Sequence, residues 1–205
     1  MRPHDNPRSA HFDAIAELWD GWDDLAVLAR RLAAGLAALG VGGAETVVDL
    51  GCGTGNLSLA LLAALSGDGR VVAVDISPRM IQVAAGKVRD ARASFHVADA
   101  AELPLAAAAC DRVVCFSAWP HFPDKDAVAS ELTRVLRPGG RAHVWHLSSR
   151  ATINDIHANA GEAVKHDILV PAAETARCFE TAGFIVEEVV DDEDGYLVTG
   201  RRGTT

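Results

Sequence analysis

Features that mark secreted, membrane-bound and nucleic-acid-binding proteins are scarce in this sequence. It contains four cysteines in 205 residues, and no two of them have the Cys-x-x-Cys spacing. This usage is typical of reduced thiols in a cytoplasmic protein and argues against a disulfide framework. No window approaches the roughly 20 apolar residues of a membrane span, and Met1 to Asp5 begin no apolar signal segment. The sequence therefore predicts a cytoplasmic protein that does not enter a membrane.

Clustered positive charge is also missing. The chain has 19 Lys and Arg against 28 Asp and Glu, which gives a formal net charge of −9 at pH 7, and its basic residues are scattered. Duplex nucleic acid is bound through clustered Lys and Arg that neutralise phosphates, so this composition disfavours nucleic acid as a partner. The length is sufficient for one domain with a sizeable core, and no internal repeat divides it.

The most informative stretch that is present is a glycine loop, residues 51–55. Residues 47–50 are apolar except for Asp49, and such a run is typical of a strand. Glycines then alternate at positions 51, 53 and 55 before a small apolar helix begins. Alternating glycines remove the Cβ atoms that would keep a ligand away from the backbone. A strand, a tight turn and a helix start in this order predict a nucleotide-like cofactor on the loop.

Short apolar runs alternate with helical patterns along the rest of the chain. This alternation is typical of an α/β protein with a parallel sheet and helices on both faces. Ser77-Pro78 predicts a helix start, and Pro138-Gly139-Gly140 predicts the end of a helix near Arg137. The acidic turn at Asp194-Gly195 lies between two apolar runs, which predicts that a final antiparallel strand joins one edge of the sheet.

Three acidic residues stand at or just after the ends of the first three predicted strands: Asp49, Asp75 and Asp99. A carboxylate after the second strand can accept both hydroxyls of a ribose, and one after the third can accept from the amine of adenine. Asp49 is placed to meet a cationic amino group, directly or through water. A ligand with a ribose, an adenine and a positive end therefore fits all three carboxylates.

With these residues the sequence resembles the class I S-adenosylmethionine-dependent methyltransferases. The resemblance covers about residues 11–147. It implies a Rossmann-like sheet of seven mostly parallel strands in the order 3-2-1-4-5-7-6, with the last strand antiparallel. It also implies Asp75 on the ribose, Asp99 on the adenine and the glycine loop beside the methionine portion of S-adenosylmethionine. The matching segments are residues 48–55, 73–77, 98–104 and 132–140, and the cofactor-capping segment of small-molecule members matches residues 11–20.

On this basis the chain is predicted to be one methyltransferase domain over residues 1–205. Its parts are N-terminal capping helices in 1–40, a cofactor-binding core in 41–147, a substrate lid in 148–170, and a C-terminal helix and hairpin in 171–205. The predicted cofactor is S-adenosylmethionine, which leaves as S-adenosylhomocysteine. Its predicted contacts are Asp49, Gly51, Cys52, Gly53, Gly55, Asp75, Ile76, Asp99, Ala100, Phe116 and Ser117.

The methyl acceptor is expected just beyond the fourth strand, where Trp119 forms either an apolar wall or part of the core. His121 and His146 follow the fourth and fifth strands, and either is a candidate general base because imidazole titrates near neutral pH. Asn154 and His157 share a helical face in the predicted lid and are candidates for acceptor binding. The predicted activity is methyl transfer to a small molecule.

Several alternatives stay open at this point. A metal held by His121, His146 and His157 is one, although no His-x-His, His-x-x-x-His or His-Glu-x-x-His spacing supports it. A nicotinamide dinucleotide site is another, but its fingerprint needs a glycine where Asn56 stands. The third is a non-catalytic module that binds S-adenosylmethionine or regulates a partner. The acceptor atom (O, N, S or C) and a monomeric or homodimeric state also stay open.

Overall fold

Seven strands form one sheet in the computed structural model, which describes residues 7–204. The strands are β1 (Thr46–Leu50), β2 (Arg70–Asp75), β3 (Ala93–Val97), β4 (Cys110–Phe116), β5 (Leu136–His146), β6 (Phe184–Asp191) and β7 (Tyr196–Arg202). The helices are α1 (Pro7–Ile15), α2 (Leu25–Ala38), α3 (Asn56–Ala64), α4 (Pro78–Lys87), α5 (Lys125–Val135), α6 (Arg150–Asn159) and α7 (Ala172–Thr181). The sheet order is β3-β2-β1-β4-β5-β7-β6, which confirms the predicted Rossmann-like order.

The chain divides into two units by its backbone contacts, residues 1–99 and residues 100–205. A single domain over the whole chain stays a prediction, and residues 1–6 of the predicted capping region, with residue 205, lie outside the described part. In the first unit, β2 pairs in parallel with both β1 and β3. Val47 and Val48 of β1 and Val71 of β2 are fully buried. Their β-branched side chains suit a strand covered on both faces.

Side-chain caps start two helices of the first unit, α2 and α4, and the start of α4 was predicted. Ser77 accepts the backbone N–H of Met80 at 3.0 Å, and Pro78 follows it at the first helical position of α4. This confirms the predicted start, because a capping oxygen satisfies an N–H group that has no partner inside the helix. Asp24 caps α2 in the same way, by accepting from the backbone of Ala26 and Val27.

In the second unit the helix before the fifth strand ends close to the predicted place, and the strand follows it at once. We expected the helix to end near Arg137, and α5 ends at Val135 and β5 begins at Leu136. Leu136 pairs with Cys110, whereas the next aligned pair is Arg112 with Arg141, so the residues between them bulge out of the ladder. The Pro-Gly-Gly sequence therefore makes an irregular strand start rather than a loop.

The C-terminal hairpin confirms the antiparallel last strand and its place in the order 5-7-6 that the resemblance implies. β7 pairs antiparallel with both β5 and β6, so β6 and not β7 is the outermost strand. Burial explains this order: Val198 of β7 is fully buried, whereas Ile185 and Val189 of β6 are about half exposed. The turn between β6 and β7 is closed by Asp192, whose carboxylate accepts the backbone N–H of Asp194 and Gly195.

Within residues 7–204, none of the helices has the length and apolar character that crossing a membrane needs.

Candidate functional site

The glycine loop has the backbone that the alternating glycines predict. Gly51, Gly53 and Gly55 all have positive φ, at 73°, 50° and 85°. Residues with a side chain rarely adopt this left-handed backbone conformation, so the turn needs glycine. A Cβ on Gly55 would also lie 3.1 Å from Cγ2 of Val88, whereas a Cβ on Gly53 would meet nothing within 4 Å. The loop therefore packs on its neighbours at Gly55 and leaves bare backbone at Gly53.

Asp49 lies at the carboxyl end of β1 and is fully buried. Its carboxylate accepts a hydrogen bond of 2.5 Å from the hydroxyl of Ser58. Burial raises the pKa of Asp49 to about 7. The hydrogen bond from Ser58 lowers this pKa, and the charge of Asp75 raises it. A cationic ligand group beside this carboxylate would favour its ionised form. The residues present thus fit the positive end of the predicted cofactor.

Asp75 ends β2 and is held by two backbone donors. Its oxygens accept the N–H of Gly53 at 2.9 Å and that of Ser77 at 2.8 Å. Burial raises the pKa of Asp75 to about 6, although these two hydrogen bonds favour the ionised form. A carboxylate has about four acceptor sites, so two remain for the hydroxyls of a ribose. The ribose contact itself stays a prediction.

The other predicted cofactor contacts of the first unit have different surroundings. Asp99 is exposed and follows β3 by two residues. The carbonyl of Ile76 accepts the hydroxyl of Ser9 at 3.1 Å. Cys52 is buried in the loop, and burial together with nearby carboxylates raises the pKa of its thiol well above the usual range. A thiol that stays protonated fits the small packing side chain that this position needs.

Asp13 is a site residue that the sequence reasoning did not single out. It lies in α1 and accepts two hydrogen bonds from the start of α4, from the hydroxyl of Ser77 at 2.5 Å and from the backbone of Arg79 at 2.9 Å. Ser77 also donates its backbone N–H to Asp75. The N-terminal segment is thereby attached beside the predicted ribose site. Only the resemblance of residues 11–20 to a capping segment could have indicated it.

Asp20 attaches the same segment to the glycine loop. Its carboxylate accepts the hydroxyl of Thr54 at 2.6 Å and the side-chain amide of Asn56 at 3.0 Å. Lys87 of α4 forms an ion pair with Asp20 at 2.5 Å and donates to Asn56 at 3.0 Å. These contacts confirm that residues near 20 lie at the loop, as a capping segment requires.

The residues that follow β4 begin the acceptor side of the prediction. Ser117 is exposed and has a φ of 54°, which is uncommon for a residue with a side chain and marks a strained turn. Its backbone N–H donates to the carbonyl of Trp145 at 2.9 Å, and the ring of Phe116 packs on Trp145 at 5.0 Å. Ala100, at the start of this unit, is buried. Their cofactor contacts stay predictions.

Trp119 has the core position that the sequence left open for it. It is fully buried and packs edge-to-face on Phe122 and Phe179, at 5.8 and 5.9 Å. Its indole Nε1 has no hydrogen-bond partner among residues 7–204. This packing favours the core interpretation over a wall of an acceptor pocket.

Two histidines of the second unit are bound to one aspartate, Asp167. The carboxylate of Asp167 accepts from Nδ1 of His121 at 2.8 Å, and the main-chain carbonyl of Asp167 accepts from Nδ1 of His157 at 2.5 Å. The two imidazole rings lie 4.7 Å apart. Asp167 is buried, whereas both rings are partly exposed. We call His121, His146, His157 and Asp167 the histidine cluster.

His146 lies at the end of β5 and is fully buried. Its ring packs edge-to-face on Tyr196 at 5.5 Å, and neither ring nitrogen has a hydrogen-bond partner in the described chain. Burial lowers the pKa of His146 to about 3, with further lowering from the charges of His121 and His157. It is therefore a neutral ring within electrostatic reach of the other two.

Asn154 and His143 have structural partners. Asn154 donates to the carbonyl of Leu169 at 3.1 Å and accepts the N–H of the same residue at 2.8 Å. This double hydrogen bond gives Asn154 an anchoring position in the predicted lid. His143 is buried between Arg112, at 2.8 Å, and Thr199, at 3.0 Å, so it is part of the core. Among the described residues, the structure contains no group of histidine, cysteine and acidic side chains that could hold a metal ion.

Comparisons with known proteins add to this geometry. Residues 47–140 match a family model described as a methyltransferase domain. The chain is 37% identical over 139 residues to a methyltransferase of Streptomyces halstedii, covering 65% of this chain and 49% of that protein. It is 39% identical over 137 residues to a ubiquinone/menaquinone biosynthesis C-methyltransferase of Acidiphilium cryptum, covering 63% and 54%. The chain thus spans about half the length of these curated relatives.

Solved structures are similar over a larger share of the chain. One is the methyltransferase in a complex with the Trm112 methyltransferase activator of Haloferax volcanii. It superposes with a TM-score of 0.75 at 26% identity, covering 94% of this chain and 97% of that one.

Proposed function

Because this chain belongs to the class I S-adenosylmethionine-dependent methyltransferases, we propose that it transfers the methyl group of that cofactor to a small-molecule acceptor. The observation that carries the proposal is the glycine loop with Asp49 and Asp75 at the adjacent strand ends. Bare backbone at Gly53 suits a ligand in close contact. The buried Asp49 and the half-buried Asp75, both with raised pKa, suit a ligand with hydroxyls and a positive charge. The bound cofactor supplies a methyl group made electrophilic by a sulfonium.

The chain's own contribution is positioning, exclusion of water and proton removal. An acceptor that is held in the correct orientation reacts faster, because it has already lost its translational and rotational entropy on binding. In the proposal, Asp75 and Asp99 orient the adenosine, and Asp49 faces the cationic end. His121 takes the acceptor's proton where one must leave, whereas a pKa of about 3 makes His146, the other predicted base, a poor proton acceptor near neutral pH. The relative from Acidiphilium cryptum, whose name refers to ubiquinone and menaquinone biosynthesis, supports a small-molecule acceptor.

A second candidate follows from the complex with the Haloferax volcanii activator, because that neighbour is bound to a protein described as a methyltransferase activator. In this alternative the chain binds the cofactor but transfers no methyl group without a partner protein. The two candidates share the cofactor site. They differ in whether the purified chain turns over alone.

The test has a binding step and a turnover step. Calorimetry of the purified chain should show binding of S-adenosylhomocysteine and no binding of NAD. Release of S-adenosylhomocysteine from S-adenosylmethionine should then depend on addition of a pool of small phenols, thiols and amines, with the reaction lacking acceptor as the control. Absence of binding contradicts the cofactor assignment. Binding without release for every acceptor class favours the second candidate.

A further inference from the structure

We propose that His121 and Asp167 form a base dyad, in which Asp167 positions His121 to take the proton of a hydroxyl group on the methyl acceptor. This inference rests on the proposed function and assigns it an acceptor class. Nothing in the sequence pattern pairs these residues, because 46 positions separate them.

The first observation is the way one residue holds two imidazoles. Asp167 binds Nδ1 of His121 through its carboxylate and Nδ1 of His157 through its carbonyl. Both acceptors require Nδ1 to carry the proton, since a carbonyl and a carboxylate only accept. A neutral imidazole protonated at Nδ1 has Nε2 as its basic nitrogen. The carboxylate of Asp167 then stabilises the imidazolium that forms when His121 takes a proton, as the acid member of a catalytic triad does.

The second observation concerns how firmly Asp167 is held. Val164 and Leu169, on either side of it in the chain, are buried, and Asn154 binds both backbone groups of Leu169. The N–H of Asp167 also donates to the carbonyl of Val164 at 2.9 Å. The aspartate therefore lies on a fixed segment rather than on a free loop. A positioning residue needs this rigidity, because a small misplacement of a catalytic group is costly.

The third observation separates the roles of His121 and His146. The buried His146 resists protonation, so it is a poor base near neutral pH. A buried polar group without a hydrogen-bond partner is destabilising, and such a group in a folded protein needs an explanation. A polar ligand atom that hydrogen bonds to the neutral ring supplies one. His146 thus fits contact with a polar acceptor, and His121 fits the proton transfer.

The chemistry of the dyad points to a hydroxyl acceptor. A phenolic hydroxyl has a pKa near 10, so most of it is protonated at neutral pH and gains from a base. In the proposed step the O–H proton moves to Nε2 of His121, and an oxygen electron pair forms the new bond to the methyl carbon. The C–S bond breaks with its electron pair left on sulfur. A neutral amine attacks through its own lone pair and needs no base before the attack.

The test compares two variants with a matched control on two phenols. Asp167→Asn removes the charge at the dyad, His121→Gln removes the base, and Asp155→Asn changes an exposed aspartate of α6 as the control. The acceptors are 4-methylphenol, which is protonated at the assay pH, and pentafluorophenol, which is already ionised. Both variants should lower kcat for 4-methylphenol by about 10²-fold and change kcat for pentafluorophenol less than about twofold. Affinity for S-adenosylhomocysteine should stay within about twofold of the wild type for all three proteins.

Nitrogen-15 spectra of the histidine rings supply a readout that needs no substrate. The wild type should show His121 protonated at Nδ1, and Asp167→Asn should shift the ring toward the other tautomer. Equal losses of kcat on both phenols would mean a structural role and overturn the dyad, as would an unchanged tautomer. Wild-type protein that binds S-adenosylhomocysteine but methylates neither phenol overturns the hydroxyl acceptor and leaves the proposed function standing. Failure of the wild type to bind S-adenosylhomocysteine overturns both.

Discussion

At the scale of single residues, the cofactor end of the first unit depends on two carboxylates with raised pKa. Asp49 and Asp75 end neighbouring parallel strands, and each is satisfied by hydrogen bonds from groups near the glycine loop. Burial nevertheless makes their ionised forms costly. In the ligand-free protein, no positive charge among residues 7–204 offsets the cost of ionising these two carboxylates. The site therefore suits a ligand that carries a positive charge.

The pH dependence of stability follows from the pKa of Asp49. Its folded value of about 7 exceeds the ordinary value of 3.8, so between these pH values the folded chain keeps a proton that the unfolded chain has lost. Stability of the ligand-free protein should therefore fall as pH rises through this window, and it should level off above pH 7. The contribution is about 4 kcal/mol at most, since one pKa unit equals about 1.4 kcal/mol.

We expect Asp49→Asn to weaken this dependence, because asparagine cannot ionise and still accepts from Ser58. Between pH 5 and pH 8, the Tm of the variant should fall less than that of the wild type, and at pH 8 the variant should be the more stable protein. Fluorimetric melting curves at four pH values, without ligand, measure the difference. Parallel curves for the two proteins would contradict the assignment to Asp49.

A second residue-scale prediction compares Asp75→Ala with Asp99→Asn. Alanine at 75 removes the charged acceptor of two ribose hydroxyls, each worth about 1.5–3 kcal/mol, so affinity for S-adenosylhomocysteine should fall at least about tenfold. Asparagine at 99 keeps a carbonyl for the adenine amine and should cost less. Because Asp75 also holds Gly53 and Ser77, the Tm of the alanine variant should fall as well. Calorimetric titration decides, with the exposed Asp68→Ala as control. Equal affinity for wild type and Asp75→Ala would exclude Asp75 from the ribose.

At the scale of elements, polar side chains attach the N-terminal segment, residues 7–24, to the cofactor loop. In α1 the only buried residue is Ser9, and Trp22, just beyond the segment's polar contacts, is largely exposed. Its attachment comes from Asp13 on the start of α4 and Asp20 on the glycine loop. Polar contacts that are partly exposed hold an element less firmly than a buried apolar face does. The segment is thus the element of the first unit most sensitive to single polar changes.

Asp20→Ala should release this segment. The change removes the acceptor of Thr54 and Asn56 and the ion-pair partner of Lys87, for an expected loss of about 1–3 kcal/mol in stability. Limited proteolysis should cut residues 7–24 faster in the variant, and added S-adenosylhomocysteine should slow the cut in the wild type more than in the variant. Asp23→Ala, which changes an exposed neighbour, is the matched control. Identical cleavage rates in both variants would show that Asp20 does not hold the segment.

At the scale of the whole molecule, ligand binding should report on global stability. A ligand that binds only the folded chain stabilises it by about 2.7 kcal/mol at one hundred times its Kd. For a chain of this length each kcal/mol shifts Tm by about 2–4 °C, so S-adenosylhomocysteine should raise Tm by about 5–10 °C. NAD at the same concentration should leave Tm unchanged. A larger increase of Tm with NAD than with S-adenosylhomocysteine would favour a nicotinamide dinucleotide site instead.

Most of the fold could be predicted from the sequence, because the sequence patterns that indicate it are local. The glycine loop, the capped start of α4 and the strand-helix alternation each depend on residues close together in the chain. The resemblance then supplied the strand order. The start of β5 at Leu136 was not predicted, because a Pro-Gly-Gly sequence is compatible with both a loop and a bulged strand, and only pairing with β4 selects the strand.

What the sequence by itself determined is the class of fold, the cofactor loop and the carboxylates at the ends of β1 and β2, since each is set by backbone chemistry within a few residues. Tertiary structure decided the rest. Asp13 meets Ser77 across 64 positions, and His121 meets Asp167 across 46. It also decided that His146 is a buried neutral ring and that His121 is the one paired with a carboxylate. Pairing and burial depend on which segments the folded chain brings together, and no spacing along the chain encodes that.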